Sequence, residues 1–285
     1  MQLNKRQVSK LIKTAIDEDL GGYGDITSAL LISGTGKSEA HIVCKQKGGA
    51  VLSGIDIAGF VFEEFNAAVV FEKLKSDGRH LETGDIVCRI SGPSKDLLAA
   101  ERTALNFIQH LSGIATATFR LSSIASKYNI KIADTRKTKP GLRKIEKYAV
   151  TCGGGFNHRF GLSDGVLIKD NHIIAAGGIE IAIEKARKGI PHQLKIEVEV
   201  KDFDQLDQAI RAGADIIMLD NMSVDNMHKA VNIIRSSSNG SCLIEASGNV
   251  REETIEDICK TGVDIISCGY ITHSAPAVDF SMEFE

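Results

Sequence analysis

The chain has 285 residues, 43% apolar and 25% charged, with a formal net charge of −3. This composition fits one large or two modest packed domains and excludes wholesale disorder. With 5% aromatics, no Trp and no basic excess, it also argues against a nucleic-acid partner.

The first twenty residues read as an amphipathic helix with Leu3, Val8, Leu11, Ile12, Ala15 and Ile16 on one face. This segment is charged throughout, so it is not expected to be a signal peptide. No apolar run approaches the roughly 18 residues of a membrane span, and a cytoplasmic protein with no membrane partner is expected. Gly34-Thr35-Gly36-Lys37-Ser38 resembles the end of a phosphate-binding loop. Residue 31 is Leu where that motif needs Gly, so the match is set aside. Residues 36–92 alternate strand-like runs (EAHIVCK, AVVFEKL, DIVCRI) with polar turns, around one helical stretch, IDIAGFVFEEF. Residues 94–128 form a long helical stretch in which Gly113 is read as marking a break.

After Asn129 the rhythm changes. Six short runs end in polar residues: IKIADTRK, GVLIKDN, LKIEVEVKD, ADIIMLDN, CLIEASGN and VDIISCG. The later ones alternate with helical patterns, which means parallel βα units. No G-x-G-x-x-G follows any strand, so a barrel suits them better than a dinucleotide-binding sheet. An open doubly wound sheet is the alternative. The six cysteines show no C-x-x-C spacing and read as buried, reduced thiols.

A barrel places its active site at the C-terminal strand ends. Those ends carry Asp134, Arg136 and Lys137; Lys169, Asp170 and Asn171; Glu199 and Lys201; Asp220 and Asn221; Glu245, Ser247 and Asn249; Ser267 and Gly269. Polar loops explain part of this ring. They do not explain Glu197 and Glu199, which alternate with Ile196, Val198 and Val200 and so share one strand face. Those carboxylates are expected to point inward.

Between Lys131 and His172 there are nine Lys or Arg against four Asp or Glu, a net +5, leaving −8 elsewhere. Concentrated cation in an acidic chain implies a compact anionic ligand. Lys144 and Lys147 read as a solvated helix face. Arg136, Lys137, His158, Arg159 and Lys169 sit at strand ends or in the glycine-rich CGGGFNHRFG loop and read as anion ligands. His172 reads as a support to these ligands. EASGN and SCG each follow a strand and precede a helical stretch, a position that offers backbone N–H groups to a phosphate.

These residues carry a resemblance. The run ADTRKTKPGLRKIEKYAVTCGGGFNHRFGLSDGVLIKDNHI (133–173) resembles the signature of quinolinate phosphoribosyltransferase, also called nicotinate-nucleotide pyrophosphorylase (carboxylating). EDLGGYGDIT, ERTALNFIQHLSGIAT, EVEV, IIMLDNM, EASGN and ISCGYITHSAPAVDFSM match in order. A molybdenum-transport-associated homologue shares the architecture, but the complete GLRKIEKYAV and GGGFNHR runs fit the quinolinate enzyme better. A silent anion-binding barrel is a third reading. The inward acids count against it.

The resemblance implies an α/β fold of two domains. Residues 1–112, completed by 271–285, would form an α/β sandwich, and 113–270 a seven-stranded α/β barrel. It implies transfer of phosphoribosyl from phosphoribosyl pyrophosphate to quinolinate with loss of carbon dioxide, and Mg2+ as cofactor. It implies a homodimer or a dimer-based hexamer in which Arg102 enters the neighbour's site. Thr135, Arg136, Lys137, His158, Arg159 and Lys169 would bind substrate. Glu199 and Asp220 would face the ribose and the metal, directly or through water, and would be catalytic together with Lys137 and Lys169. Ser247, Gly248 and Asn249 with Ser267, Cys268 and Gly269 would hold the 5-phosphate through backbone. Many members have a second Gly where this chain has Asn249, which would be less comfortable at a positive φ.

Overall fold

The computed structural model describes residues 3–33, 36–237 and 241–285. Gly34 and Thr35 of the loop-like motif lie outside them. In chain order the first elements are α1 (Lys5–Leu20), α2 (Ile26–Leu31), β1 (Lys37–Cys44), β2 (Ala50–Val51), α3 (Ile55–Phe65), β3 (Val70–Lys73), β4 (His80–Leu81), β5 (Ile86–Pro93) and α4 (Ser94–Ala125). Then come β6 (Lys131–Ala133), α5 (Arg143–Cys152), β7 (Val166–Ile168), α6 (Asp170–Ala176), α7 (Ile179–Gly189), β8 (Ile196–Val200), α8 (Phe203–Arg211) and β9 (Ile216–Asp220). The last are α9 (Val224–Ser237), β10 (Leu243–Ser247), α10 (Ile255–Lys260), β11 (Ile265–Ser267), α11 (Tyr270–His273) and β12 (Phe280–Phe284).

The chain divides into two compact units. The first comprises residues 1–119, 139–154 and 274–285, and the second residues 120–138 and 155–273. In the first unit an antiparallel sheet has the order β12-β1-β5-β3. The C-terminal strand therefore completes a sheet begun near the N-terminus, with Ile42 opposite Met282. α1 starts at a reciprocal cap, in which the Asn4 side chain accepts from the Gln7 N–H at 3.1 Å and the Gln7 side chain accepts from the Asn4 N–H at 3.4 Å. It buries Val8, Ile12 and Ile16, one face at a four-residue repeat. Asp77 accepts from the Gly54 and Ile55 N–H groups at the start of α3, and from the Tyr148 hydroxyl at 2.7 Å. Burial pushes the Asp77 carboxyl above its usual range.

Three expectations change here. Lys147 of α5, read as solvated, is fully buried. α4 is continuous through Gly113, which is no break. A Cβ there would lie 2.2 Å from the Pro276 carbonyl oxygen, so glycine serves close packing. Residues 139–154, expected in the barrel, belong with the first unit. α5 buries Ile145, Tyr148, Ala149 and Val150. Its Glu146 accepts from His110 Nε2 at 2.8 Å, and a Cβ on Gly153 would meet the Ala115 carbonyl at 2.3 Å.

The second unit is a parallel sheet in the order β6-β11-β10-β9-β8-β7. All six expected strands are present, and the first lies beside the last, as a sheet curling into a barrel requires. The seventh position is a single-residue bridge rather than a strand. Phe156 pairs in parallel with Ala133, donating to the Ile132 carbonyl at 2.7 Å and accepting from the Asp134 N–H at 3.0 Å. The strand beginnings are latched twice by the same device. Asp215 accepts from Arg187 at 2.6 Å and from the Ile196 N–H at 2.8 Å. Asp264 accepts from Arg235 at 2.6 Å and from the Ile244 N–H at 2.7 Å. The near-repeat GADII and GVDII marks both latches. All six cysteines are free thiols. Among the described residues no helix is long and apolar enough to cross a membrane.

Candidate active site

β8 is buried along its whole length, yet two of its five residues are glutamates. Glu197 is 5% and Glu199 8% exposed, while Ile196, Val198 and Val200 are fully covered. The period-two alternation thus puts both carboxylates on the inner face of the barrel. Glu199, the higher of the two along the strand, is ion-paired with the Lys169 ammonium at the end of β7. Asp220 ends the next strand, β9, and accepts from Asn221 Nδ2 at 2.9 Å. One residue beyond β8, Lys201 donates to Asp170 at 2.9 Å, a bond that holds the lysine's pKa up.

The neighbouring ends form tight turns. Ser247 of β10 is in register with both Asp220 and Ser267. Gly248 has φ +102°, and a Cβ on it would fall 2.1 Å from Asn221 Oδ1, so only glycine fits. Asn249 has φ +52°, so the strained backbone anticipated from the resemblance is present and carried by asparagine, the side chain that tolerates it best after glycine. A Cβ on Gly269 would sit 3.0 Å from Lys137 Cδ and 3.3 Å from Thr135 Oγ1. Thr135 Oγ1 accepts from the Lys137 N–H at 3.0 Å, and the Lys137 carbonyl accepts from Thr272 at 2.8 Å. The Thr135–Lys137 segment is thereby fixed against the turn after β11.

Below this rim the interior holds a second cluster. His158 Nε2 lies 3.1 Å from Glu197 Oε2 and 3.7 Å from Glu245 Oε1. Its Nδ1 accepts from the Arg159 N–H at 2.8 Å, and the His158 N–H donates to Asp134 at 2.9 Å. Glu245 is 2% exposed, and burial, aided by the Glu197 charge, pushes its carboxyl up to about 7. Arg159 donates to the Gly165 carbonyl at 3.1 Å. Burial and then the nearby Arg136 lower its affinity for its proton.

The structure therefore brings Thr135, Lys137, Lys169, Glu199, Asp220, Ser247, Gly248, Asn249, Ser267 and Gly269 to one end of the strands, and places exposed Arg136 near Arg159. Two expectations are revised. His158, read as an anion ligand, is directed at carboxylates, because its ring proton finds two buried acceptors there. The Cys268 N–H donates to the Ala133 carbonyl at 2.9 Å, so that amide is not offered to a phosphate. His172 accepts from the Lys169 N–H at 3.0 Å and so caps α6 beside the site. Arg102 is an exposed residue of α4 in the first unit, 3.8 Å from Glu101. The sequence places Glu245 in the strand-end ring but not beside His158. A lone glutamate in CLIEASGN shows no alternation, and its His158 partner is 87 positions away.

Two family models cover almost the whole chain: quinolinate phosphoribosyl transferase, N-terminal domain, over residues 25–112, and its C-terminal domain over residues 114–283. The chain belongs to the quinolinate phosphoribosyltransferase family. It is 43% identical over 281 residues to a probable nicotinate-nucleotide pyrophosphorylase [carboxylating] of Bacillus subtilis, covering 99% of this chain and 94% of that protein. It is 39% identical to quinolinate phosphoribosyltransferase [decarboxylating] 1 of Nicotiana glauca, over 96% of this chain and 81% of the relative. The crystal structure of NadC from Streptococcus pyogenes superposes with a TM-score of 0.92 at 41% identity, over 99% of this chain and 98% of that one. Membership agrees with both halves of the fold, the antiparallel sheet and the barrel-like sheet of parallel strands.

The Mg2+ that the resemblance implies can be tested against the donors present. Glu199 and Asp220 are carboxylates on adjoining strand ends. Hard oxygen donors of this kind suit Mg2+, which keeps several waters and shares itself with substrate phosphates. The residues fit.

Proposed function

We propose that the protein transfers phosphoribosyl from phosphoribosyl pyrophosphate to quinolinate, releasing pyrophosphate and carbon dioxide and leaving nicotinate mononucleotide. What carries this reading is the meeting of Lys169, Glu199 and Asp220 at three adjoining strand ends, in a chain that matches the family over nearly its whole length.

Among the described residues no side chain at the rim is set up as a covalent nucleophile, and the reaction does not need one. As pyrophosphate departs, the ribose becomes oxocarbenium-like and the pyridine nitrogen attacks it. Glu199 and Asp220 would stabilise that positive charge, with Lys169 holding Glu199 in place. Lys137 and Lys169 would balance the leaving pyrophosphate. Mg2+ bound at Glu199 and Asp220 would supply further charge neutralisation there. The turns at Ser247–Asn249 and Ser267–Gly269 would seat the 5-phosphate, without the Cys268 amide.

The second half of the reaction follows from the ring. Once N1 carries ribose it is cationic, and it stabilises the carbanion left at C2 when the 2-carboxylate departs as carbon dioxide. A proton then takes that position. Arg136 and Arg159 would grip the carboxylates with planar forks, which lysine cannot do. A second copy of the chain would bring Arg102 to the barrel mouth, as a homodimer or a dimer-based hexamer. A cytoplasmic location goes with this reading.

The test is incubation with quinolinate, phosphoribosyl pyrophosphate and Mg2+. Equal amounts of carbon dioxide and nicotinate mononucleotide are expected. Turnover of nicotinate in preference to quinolinate would overturn the substrate assignment.

A further inference from the structure

The geometry points to Arg251 as a further binding residue for the 5-phosphate of phosphoribosyl pyrophosphate, an inference that rests on the reaction proposed above. The turns that would seat this phosphate, Ser247–Asn249 and Ser267–Gly269, contain no charged residue. A phosphomonoester carries about two negative charges at neutral pH. Amides and hydroxyls alone balance that charge poorly, and one amide is already spent, since the Cys268 N–H donates to the Ala133 carbonyl at 2.9 Å. The stem of Lys137 crosses Gly269, but in the proposed reaction its ammonium serves the leaving pyrophosphate. The phosphate needs a cation beside both turns that is not committed elsewhere.

Arg251 meets that need. It lies two residues beyond Asn249, and its guanidinium carbon stands 5.0 Å from the centre of the ring of Tyr270, the residue after Gly269. One side chain thus reaches from the first turn to the second. Its backbone is fixed, because Thr254 Oγ1 accepts from the Arg251 N–H at 3.0 Å and donates to the Asn249 carbonyl at 3.2 Å. The turns are also joined where the Cys268 thiol donates to the Val250 carbonyl at 3.6 Å. Burial raises that thiol above its usual range, and the Arg251 and Lys137 charges are among the weaker influences that oppose it, so both cations stand near the second turn. The adjacent acid, Glu252, is taken by Arg120 at 3.4 Å.

The ring gives an exposed arginine its value here. A long side chain loses rotamer entropy when it closes on a ligand, and one already lying on a tyrosine has lost part of that freedom beforehand. The stack uses the flat face of the guanidinium and leaves its N–H edge for phosphate oxygens. Arg251 therefore adds charge and direction to a cradle otherwise made of amides and hydroxyls.

The probe is ribose 5-phosphate, which carries the 5-phosphate without the pyrophosphate, titrated calorimetrically into the full chain. Wild type, R251Q and R251K are compared. Inorganic pyrophosphate and quinolinate are titrated separately, and steady-state kinetics are run on the same samples. R251Q is expected to weaken ribose 5-phosphate binding and to raise KM for phosphoribosyl pyrophosphate by about tenfold, with kcat within about twofold of wild type. Its melting temperature and its affinities for pyrophosphate and quinolinate stay unchanged, and R251K regains part of the loss. Wild-type affinity for ribose 5-phosphate in R251Q would overturn the proposal. So would an equal loss for all three ligands, which would make Arg251 a brace of the turns and no more. Wild-type turnover of quinolinate separates this failure from that of the reaction itself. With turnover present and phosphate affinity kept in R251Q, Arg251 alone is misassigned; without turnover, the proposed reaction fails and this proposal falls with it.

Discussion

Lys169 and Glu199 are joined across the ends of two adjacent parallel strands, a half-exposed ammonium on a buried carboxylate. The pair keeps a charged acid at the barrel mouth without a second buried base. Replacing Lys169 with Met should therefore cut kcat/KM by at least about 100-fold. Stability should fall by about 1–3 kcal/mol, since solvent screens the half-exposed lysine but Glu199 is left buried without its cation. Steady-state kinetics and denaturant melts on the same sample check both parts. A drop in stability large enough to explain the lost activity would contradict the assignment.

Arg136→Ala and Arg159→Ala should each weaken quinolinate binding by about 2 kcal/mol, close to a 30-fold rise in KM. Arg159→Lys should recover little, because the lysine keeps the charge and loses the fork that also holds the Gly165 carbonyl. Quinolinate titration by calorimetry reads this directly. Unchanged affinity in both alanine variants would remove these residues from the site.

An Arg102→Ala chain and a Lys169→Ala chain should each be nearly inactive alone. Mixed after partial unfolding and refolding, they should regain about a quarter of wild-type activity if half the chains pair across types and each mixed dimer has one intact site. No recovery would count against a site shared between copies.

Asn249→Ala should lower stability by about 1 kcal/mol and Asn249→Gly should not, because φ +52° suits glycine and asparagine better than alanine. Equal stability of the two variants would show that the turn relaxes when the side chain is removed.

Gly113→Ala tests the packing of α4. Helix propensity favours alanine by about 1 kcal/mol. A Cβ 2.2 Å from the Pro276 carbonyl should reverse that sign and cost about 1–3 kcal/mol. A stabilised variant would mean that the C-terminal segment moves aside at little cost.

The barrel strands were legible because each is a short apolar run ending in polar residues, and Glu197 with Glu199 declared the inner face through simple alternation. The gathering of Glu199, Asp220 and Lys169 at one rim follows from the strand ends on which they lie. Gly113 misled because glycine in a helix signals both a break and a close approach, and only the position of Pro276 separates the two. The membership of α5 was hidden for a similar reason. Its partners, His110 and Asp77, lie 36 and 71 positions away from Glu146 and Tyr148. His158 looked like an anion ligand beside Arg159. Which way it turns depends on Glu197 and Glu245, whose convergence is a property of the curled sheet and of no local pattern.

The central claim is that cations at the strand ends clamp an aromatic diacid beside an activated sugar. A crystal structure with quinolinate bound tests it most directly. The diacid is expected at the C-terminal ends of β6 to β9, its carboxylates on Arg136, Arg159 and Lys169. Quinolinate bound elsewhere, with these three side chains turned away into solvent, would contradict it.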